Sequence, residues 1–421
     1  MANNNLLPNG CLLFGINAIM NWFRNRRIRK YNRQARGVEE RKVISPDILF
    51  PTNAYYNGII ISGGVQNDRL LLSNQIINNL KSLNHPLIIL HTGNGVLENI
   101  VARNQIGVVI NDRHPVLDCF DGLEFDEILH IVTNTCNSRY GMETTARYIL
   151  QIAYELTVSR GRSPYFYWLE KCPYLNLNTL ISERLKNGMI TQDKANQLSS
   201  LLSAGQNESP KIDTFFSDIK AKIQNISVKD PKTTKPYGIV SAIENRQILC
   251  IDIKSSANIM LMELVANSLQ VAMNRGLQFS LMLDSIAFAN NALFLSILGQ
   301  ATSTQIITLS DDLYALLGAR EDIFATLVGR TDKVIVYSHS SNASCEKWSM
   351  YLGQYDKIDI ANNRMAGWFQ SNRWAASAHH GQTETFVREV KVKPEQIRGL
   401  MPNEAFVYDS DVGNLIQATV K

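Results

Sequence analysis

The run Gly58-Ile59-Ile60-Ile61-Ser62-Gly63-Gly64-Val65-Gln66-Asn67-Asp68-Arg69-Leu70 decides how the chain folds. Gly58–Ile61 is a short apolar stretch of the buried-strand type, and Ser62–Asp68 is small and polar. Leu70, Leu71, Ile76, Ile77 and Leu80 then recur with a period near 3.6, so the segment reads strand, loop, helix. Downstream, Pro86–Leu90 and Gly107–Ile110 are further buried strands with a short helix between them. Strands that alternate with helices imply a parallel sheet covered on both faces.

From Ser138 to Lys235 the pattern is almost wholly helical, with segments Thr144–Val158, Leu177–Leu185, Gln192–Leu202 and Ile212–Ile226, and it ends in the turn-rich Lys229–Pro236. The strand-helix pattern then resumes. Strands are expected at Gln247–Ile253, Phe279–Leu283, Gln305–Leu309 and Lys333–Tyr337, and small β elements at Thr385–Val390 and Glu404–Val420, around a helical turn opened by Pro394. Helices are expected at Ala257–Arg275, Asn290–Ala301, Asp311–Leu317, Arg320–Gly329 and Asn342–Gly353. The predicted organisation is a basic amino-terminal arm (1–50), an α/β domain in two parts (51–137 and 236–421) and an all-helical insertion (138–235).

At 421 residues the chain is long enough for a large α/β domain plus an insertion. A net charge of +4 is too small to argue for nucleic acid by itself, because cationic function depends on clustering. One cluster exists: Arg24, Arg26, Arg27, Arg29, Lys30, Arg33 and Arg36 lie together with no intervening acid. Leu6–Phe23 before it is broken by Pro8, Asn9, Gly10, Asn17 and Asn21, so it reads poorly as a membrane-spanning helix. The arm is either solvated or a helix lying on an anionic membrane surface. Cys11, Cys119, Cys136, Cys172, Cys250 and Cys345 are far apart, with no C-x-x-C pair and no zinc spacing, which fits a reduced, cytoplasmic setting and no metal.

A strand, a small-residue loop and a helix are where a phosphate-binding loop belongs, since glycine amides and the helix terminus cradle phosphates while a lysine neutralises them. Against G-x-x-x-x-G-K-[ST], the chain keeps Gly63 but places Asp68 for the second glycine, Arg69 for the lysine and Leu70 for the magnesium-binding hydroxyl. Gly63, Gly64, Asn67 and Arg69 are the remnant of such a loop. Phe279–Asp284 is an apolar strand ending in an acid, the form of a Walker B element, yet Ser285 stands where a catalytic Glu would polarise water.

In the order of these elements the chain resembles the type IV coupling proteins, the RecA-like hexameric DNA pumps of conjugation and type IV secretion. The likeness runs from about Gly58 to Val420 and includes Val387-Arg388-Glu389 before Pro394-Glu395-Gln396-Ile397 and Leu400. It implies a RecA-like P-loop domain with a mainly parallel central sheet and an all-helical insertion that contacts cargo. Departures accompany it: Ser310 replaces a polar sensor Gln, His91-Thr92-Gly93-Asn94 replaces an acidic strand end, and the transmembrane hairpin is missing.

The resemblance therefore implies a non-catalytic component of a DNA-transfer or secretion complex, with no cofactor, protein partners, and homo- or hetero-oligomers open. DNA and the inner face of a membrane are both open as partners of the basic arm. Two alternatives remain: an ATP- and Mg2+-dependent translocase with divergent motifs, and a DNA-binding protein that uses the arm alone. His379-His380 reads as a loop feature, since no third ligand is near. Trp368, Phe369 and Trp374 with Arg364 and Arg373 read as interface or core-edge packing, with base stacking the other use.

Overall fold

Strands and helices alternate from Gly58 onward, as the apolar pattern requires. The computed structural model describes residues 9–103, 105–141, 144–172, 174–254, 259–287, 291–300, 304–365 and 379–421. The chain runs α1 (Asn9–Arg36), β1 (Val38–Ile44), α2 (Pro46–Leu49), β2 (Gly58–Ser62), α3 (Gln66–Ser82), β3 (Leu87–His91), α4 (Gly95–Arg103) and β4 (Val108–Ile110). Helices follow: α5 (Phe125–Tyr140), α6 (Ala146–Val158), α7 (Phe166–Glu170), α8 (Leu177–Lys186), α9 (Gln192–Gly205), α10 (Ser209–Ile223) and α11 (Ile239–Glu244). Then come β5 (Ile248–Asp252), α12 (Ile259–Asn274), β6 (Ser280–Asp284), α13 (Ala292–Gln300), β7 (Gln305–Ser310), α14 (Leu313–Leu316), α15 (Glu321–Val328) and β8 (Lys333–Val336). The chain closes with α16 (Asn342–Tyr351), β9 (Gln354–Met365), β10 (His379–Val390), α17 (Pro394–Arg398), β11 (Glu404–Asp409) and β12 (Asn414–Val420).

Two units are distinguished, one of Ile44–Ile335 with Val420–Lys421 and one of Met1–Val43 with Val336–Thr419. In the first, the strands lie in the order β8-β2-β7-β6-β3-β5-β4. Every pair from β2 to β4 in that order is parallel. All five residues of each of β2, β3, β5 and β6 are buried, which is why these segments read as unbroken apolar runs. No strand among the described residues interrupts α5 to α10, so the α/β fold with a mainly parallel sheet and an all-helical insertion is the one observed.

The ends of the insertion meet. Leu117 donates its N–H to Ile226 (2.9 Å) and accepts from Val228 (2.9 Å), while Asp118 N–H reaches the Tyr237 carbonyl at 2.9 Å. The helical excursion thus leaves and rejoins the sheet domain at one place, without interrupting a strand.

In the second unit β11 and β12 pair antiparallel, and β9 and β10 form a twelve-pair hairpin. Helix α1 docks on this hairpin through residues spaced by four. Arg24 Nε donates to Glu384 Oε1 (2.6 Å), Ile28 is buried, Asn32 pairs with both backbone groups of Ile358 (3.0 and 2.8 Å), and Arg36 Nε reaches the Lys391 carbonyl (2.5 Å). The segment read as a basic arm is therefore, over residues 9–44, a helix and a strand. Among the described residues, no helix is long and apolar enough to cross a membrane.

Candidate functional site

Ser62 ends β2, and Gly63 and Gly64 follow at φ +89° and +66°, the left-handed region that glycine enters without strain. Gly63 N–H donates to the Ser310 carbonyl at the end of β7 (2.9 Å). Helix α3 begins at Gln66, earlier than the Ser62–Asp68 loop expected from the sequence. Asp68 is the reason: its carboxylate accepts the Val65 N–H (3.3 Å) and caps the first turn from within, drawing the helix start toward the glycines.

Arg69 Nη1 donates to the carbonyls of Gly63 (2.9 Å) and Gly64 (3.0 Å). Both Asp68 and Arg69 are buried, as is Leu70, while Asn67 is exposed. The turn is thus held by its own side chains: an acid takes an amide at the helix start, and a guanidinium bridges the two glycine carbonyls.

Asp284, at the end of β6, is buried and turned toward β3, where its Oδ2 accepts from Asn94 Nδ2 (2.6 Å). Ser285 follows at φ +56° with its N–H on the Leu309 carbonyl (2.8 Å). Ser310 is buried at the end of β7, and its hydroxyl has no hydrogen-bond partner among the described residues.

Asp284 belongs to a larger polar group at the carboxyl ends of three adjacent strands. His91 of β3 stands in register with Asp284 on one side and Asp252 of β5 on the other. Its Nδ1 accepts the Asn94 N–H (3.0 Å), which places the imidazole proton on Nε2, 3.7 Å from Glu98 Oε1. Burial lowers the pKa of His91, and the Asp252, Glu98 and Asp284 charges only partly offset it. Asp252 Oδ1 accepts the N–H groups of Gly93 (3.0 Å) and Lys254 (2.8 Å), and Lys254 Nζ bridges Asp252 (3.2 Å) to Asp112 (3.1 Å). Although burial opposes it, these donors hold the Asp252 carboxyl below the usual range.

Beside this group lies a polar depression of about 330 Å³. Sequence reasoning noted His91–Asn94 as a departure but missed Asp252 and Lys254. The signal was present, since Ile248–Asp252 is an apolar strand ending in an acid just as Phe279–Asp284 is. Among the described residues no group of three or more His, Cys, Asp and Glu side chains is disposed to hold a metal ion.

Of the seven basic residues singled out in the sequence, Arg24 and Arg36 bind the hairpin. Arg26 lies over the Trp22 ring (5.4 Å), and Arg27, Arg29, Lys30 and Arg33 are exposed. Trp368, Phe369, Arg373 and Trp374 lie outside the described residues, as do the side chains of Arg364, His379, His380, Cys11 and Cys136 and the start of Leu6–Phe23.

With β7 inserted between the strand that precedes the glycine turn and the strand that ends in Asp284, the chain is an α/β protein with a RecA-like P-loop fold. It is similar to the bacterial conjugative coupling protein TrwBdeltaN70 in its unbound monoclinic form, at a TM-score of 0.54 and 14% identity over 90% of this chain and 88% of that one. The trigonal form of that protein in complex with sulphate gives 0.53 and 14% over 94% and 91%, and the plasmid coupling protein TrwB in complex with ADP and Mg2+ gives 0.52 and 12% over 90% and 89%. At these identities the likeness is one of fold. Neither a protein-family model nor a curated protein sequence matches the chain.

Proposed function

We propose that the chain is a binding component of a DNA-transfer or secretion assembly that uses the coupling-protein fold without hydrolysing ATP. The observation that carries this reading is the self-closed turn: Asp68 takes the Val65 N–H and Arg69 takes the Gly63 and Gly64 carbonyls. A phosphate at this helix start would meet the Asp68 carboxylate. Two like charges ~4 Å apart at an effective dielectric of about 20 repel by roughly 4 kcal/mol, nearly a thousandfold in affinity. Arg69 cannot neutralise a phosphate without leaving the glycine carbonyls. Hydrolysis meets a second obstacle, since Ser285 offers no general base and Asp284 is engaged by Asn94. The partners are then protein components of the assembly, reached through the helical insertion, and no nucleotide or Mg2+ is required.

Calorimetric titration with Mg-ATP and phosphate release on the unmodified protein test this. We expect neither heat of binding nor turnover. Asp68→Gly with Arg69→Lys restores some binding at most, and turnover further requires Ser285→Glu. Micromolar affinity with turnover that disappears in Asp284→Ala would mean an active translocase instead.

A second property is supported by a separate observation: α1 adheres to anionic lipid. The helix face turned away from Ile28 and Asn32 carries Ile19, Trp22 and Phe23 and then Arg26, Arg29, Lys30 and Arg33, at spacings of one, three and four. Ile19, Trp22 and Phe23 are each more than half exposed. Phosphodiester binding needs only the cations, whereas a lipid interface uses both halves of the stripe.

A further inference from the structure

We infer that the surface around α7 is a docking site for an acidic segment of a partner protein; this rests on reading the helical insertion as a recognition surface. Four cations there are seated on aromatic rings. The Arg162 guanidinium lies 3.8 Å from the Trp168 ring centre, and Lys232 Nζ lies 5.8 Å from the same ring. Lys171 Nζ is 3.7 Å from the Tyr167 ring and Lys235 Nζ is 5.2 Å from that of Tyr237. Among the described residues none of the four is paired with a carboxylate. A ring attracts a cation without consuming its N–H donors, so the charges are positioned while most of their hydrogen-bonding capacity stays open. Lys171 spends one donor on the Tyr167 hydroxyl.

The same arrangement argues against single-stranded nucleic acid. Bases stack on bare ring faces, and here the chain's own cations compete for those faces. A phosphate backbone also calls for cations strung along a track. Here Lys171, one of the four, lines a depression of about 260 Å³ together with Lys229 and the apolar side chains of Phe166 and Val228. Of the two acids in its lining, Glu170 is paired with Lys220 (2.5 Å) and Asp118 is buried with its carboxyl taken up by the N–H groups of Phe120, Phe166 and Tyr167, so Lys171 and Lys229 supply the surplus. A cavity with an apolar floor and uncompensated ammonium groups suits carboxylate side chains interspersed with an apolar one.

Fluorescence anisotropy on the full chain, with a labelled peptide of four Glu-Asp-Phe repeats, tests the inference against two controls: the same peptide with Lys for the acids, and oligothymidylate. We expect the acidic peptide alone to bind, more weakly as salt rises. Arg162→Gln with Lys171→Gln and Lys232→Gln should weaken it about tenfold or more, with the circular dichroism spectrum unchanged. Trp168→Leu keeps every charge but unseats Arg162 and Lys232, so a smaller loss is expected there. Equal peptide affinity in the triple variant overturns the inference. So does tighter binding of oligothymidylate that is lost in that variant, which would assign the surface to nucleic acid. The wider reading fails separately: replacing residues 144–226 by a short linker would then leave co-purification with the secretion components unchanged. If that replacement abolishes co-purification while the triple variant still binds the peptide fully, only the acidic-segment inference fails.

Discussion

His91 is held neutral by its surroundings, and that has a consequence for stability. The ring is wholly buried between Asp252 and Asp284, with Nδ1 fixed by the Asn94 N–H, and its pKa is lowered chiefly by burial from the ordinary 6.5. A group whose folded pKa is depressed contributes stability that is present above the unfolded value and lost as pH falls through and below it. We therefore expect the parent to lose stability relative to His91→Asn between pH 7.5 and 5.5, as read from their urea midpoints. His91→Asn retains an acceptor for the Asn94 N–H but cannot titrate, and the other shifted groups, among them His85 and Asp118, are common to both proteins and leave the difference. A difference between the two midpoints that does not change with pH would count against this account. At this scale the sequence was legible where a motif position had changed, as at Asp68, Arg69 and Ser285. It did not say what the replacements bond to: the Arg69 partners lie in a turn of specific shape, and the His91 partners come from strands far apart in sequence.

Helix α1 illustrates how an element can be visible as composition but not as structure. Its cations were evident, yet two opposite faces are superposed in that composition. Arg24, Ile28, Asn32 and Arg36 grip the β9–β10 hairpin, and Arg26, Arg29, Lys30 and Arg33 continue the exposed stripe of Ile19, Trp22 and Phe23. Once the two faces are separated, the stripe should bind vesicles containing phosphatidylserine and release them at high salt. In co-sedimentation, Arg26→Gln with Arg29→Gln, Lys30→Gln and Arg33→Gln should abolish most binding, at about 1 kcal/mol per cation near an anionic surface. Trp22→Ser with Phe23→Ser should weaken it too, which a purely electrostatic contact with DNA would not predict. Unchanged vesicle binding in either variant would exclude the lipid role. The central strands were legible because β2, β3, β5, β6 and β8 are buried throughout and read as apolar runs, while the short β4 (VVI), only partly buried, was read from its apolar composition alone. Strands β1 (VEERKVI) and β9 (QYDKIDIANNRM) were not, because neither has such a run.

On the scale of the whole molecule, the helical insertion is joined to the sheet domain at one seam, and Asp118 sits at its centre. Its Oδ1 accepts the N–H groups of Phe120 (3.0 Å) and Phe166 (2.9 Å), and its Oδ2 accepts that of Tyr167 (3.2 Å), so the carboxyl anchors the start of α7 beside the segment that leads into the insertion. Burial pushes its pKa from 3.8 up to about 7 against those three donors. A raised folded pKa contributes stability that is fully present below the unfolded value and is lost as pH rises through the folded one. The window is therefore pH 4 to 7, opposite in sign to that of His91, and at about 1.4 kcal/mol per unit the Asp118 contribution is on the order of 4 kcal/mol. Asp118→Asn keeps an oxygen for Phe120 and Phe166, loses the acceptor for Tyr167 and removes the titration. Both proteins carry the same histidines, so the difference between their midpoints isolates Asp118. We expect the parent to exceed the variant most at pH 4.5 and least at pH 7.5 in urea unfolding, with the loss concentrated in amide protection of the insertion helices. If the gap between the two proteins is constant across that range, Asp118 is ionised in the folded state throughout, and the seam is an ordinary charged helix cap.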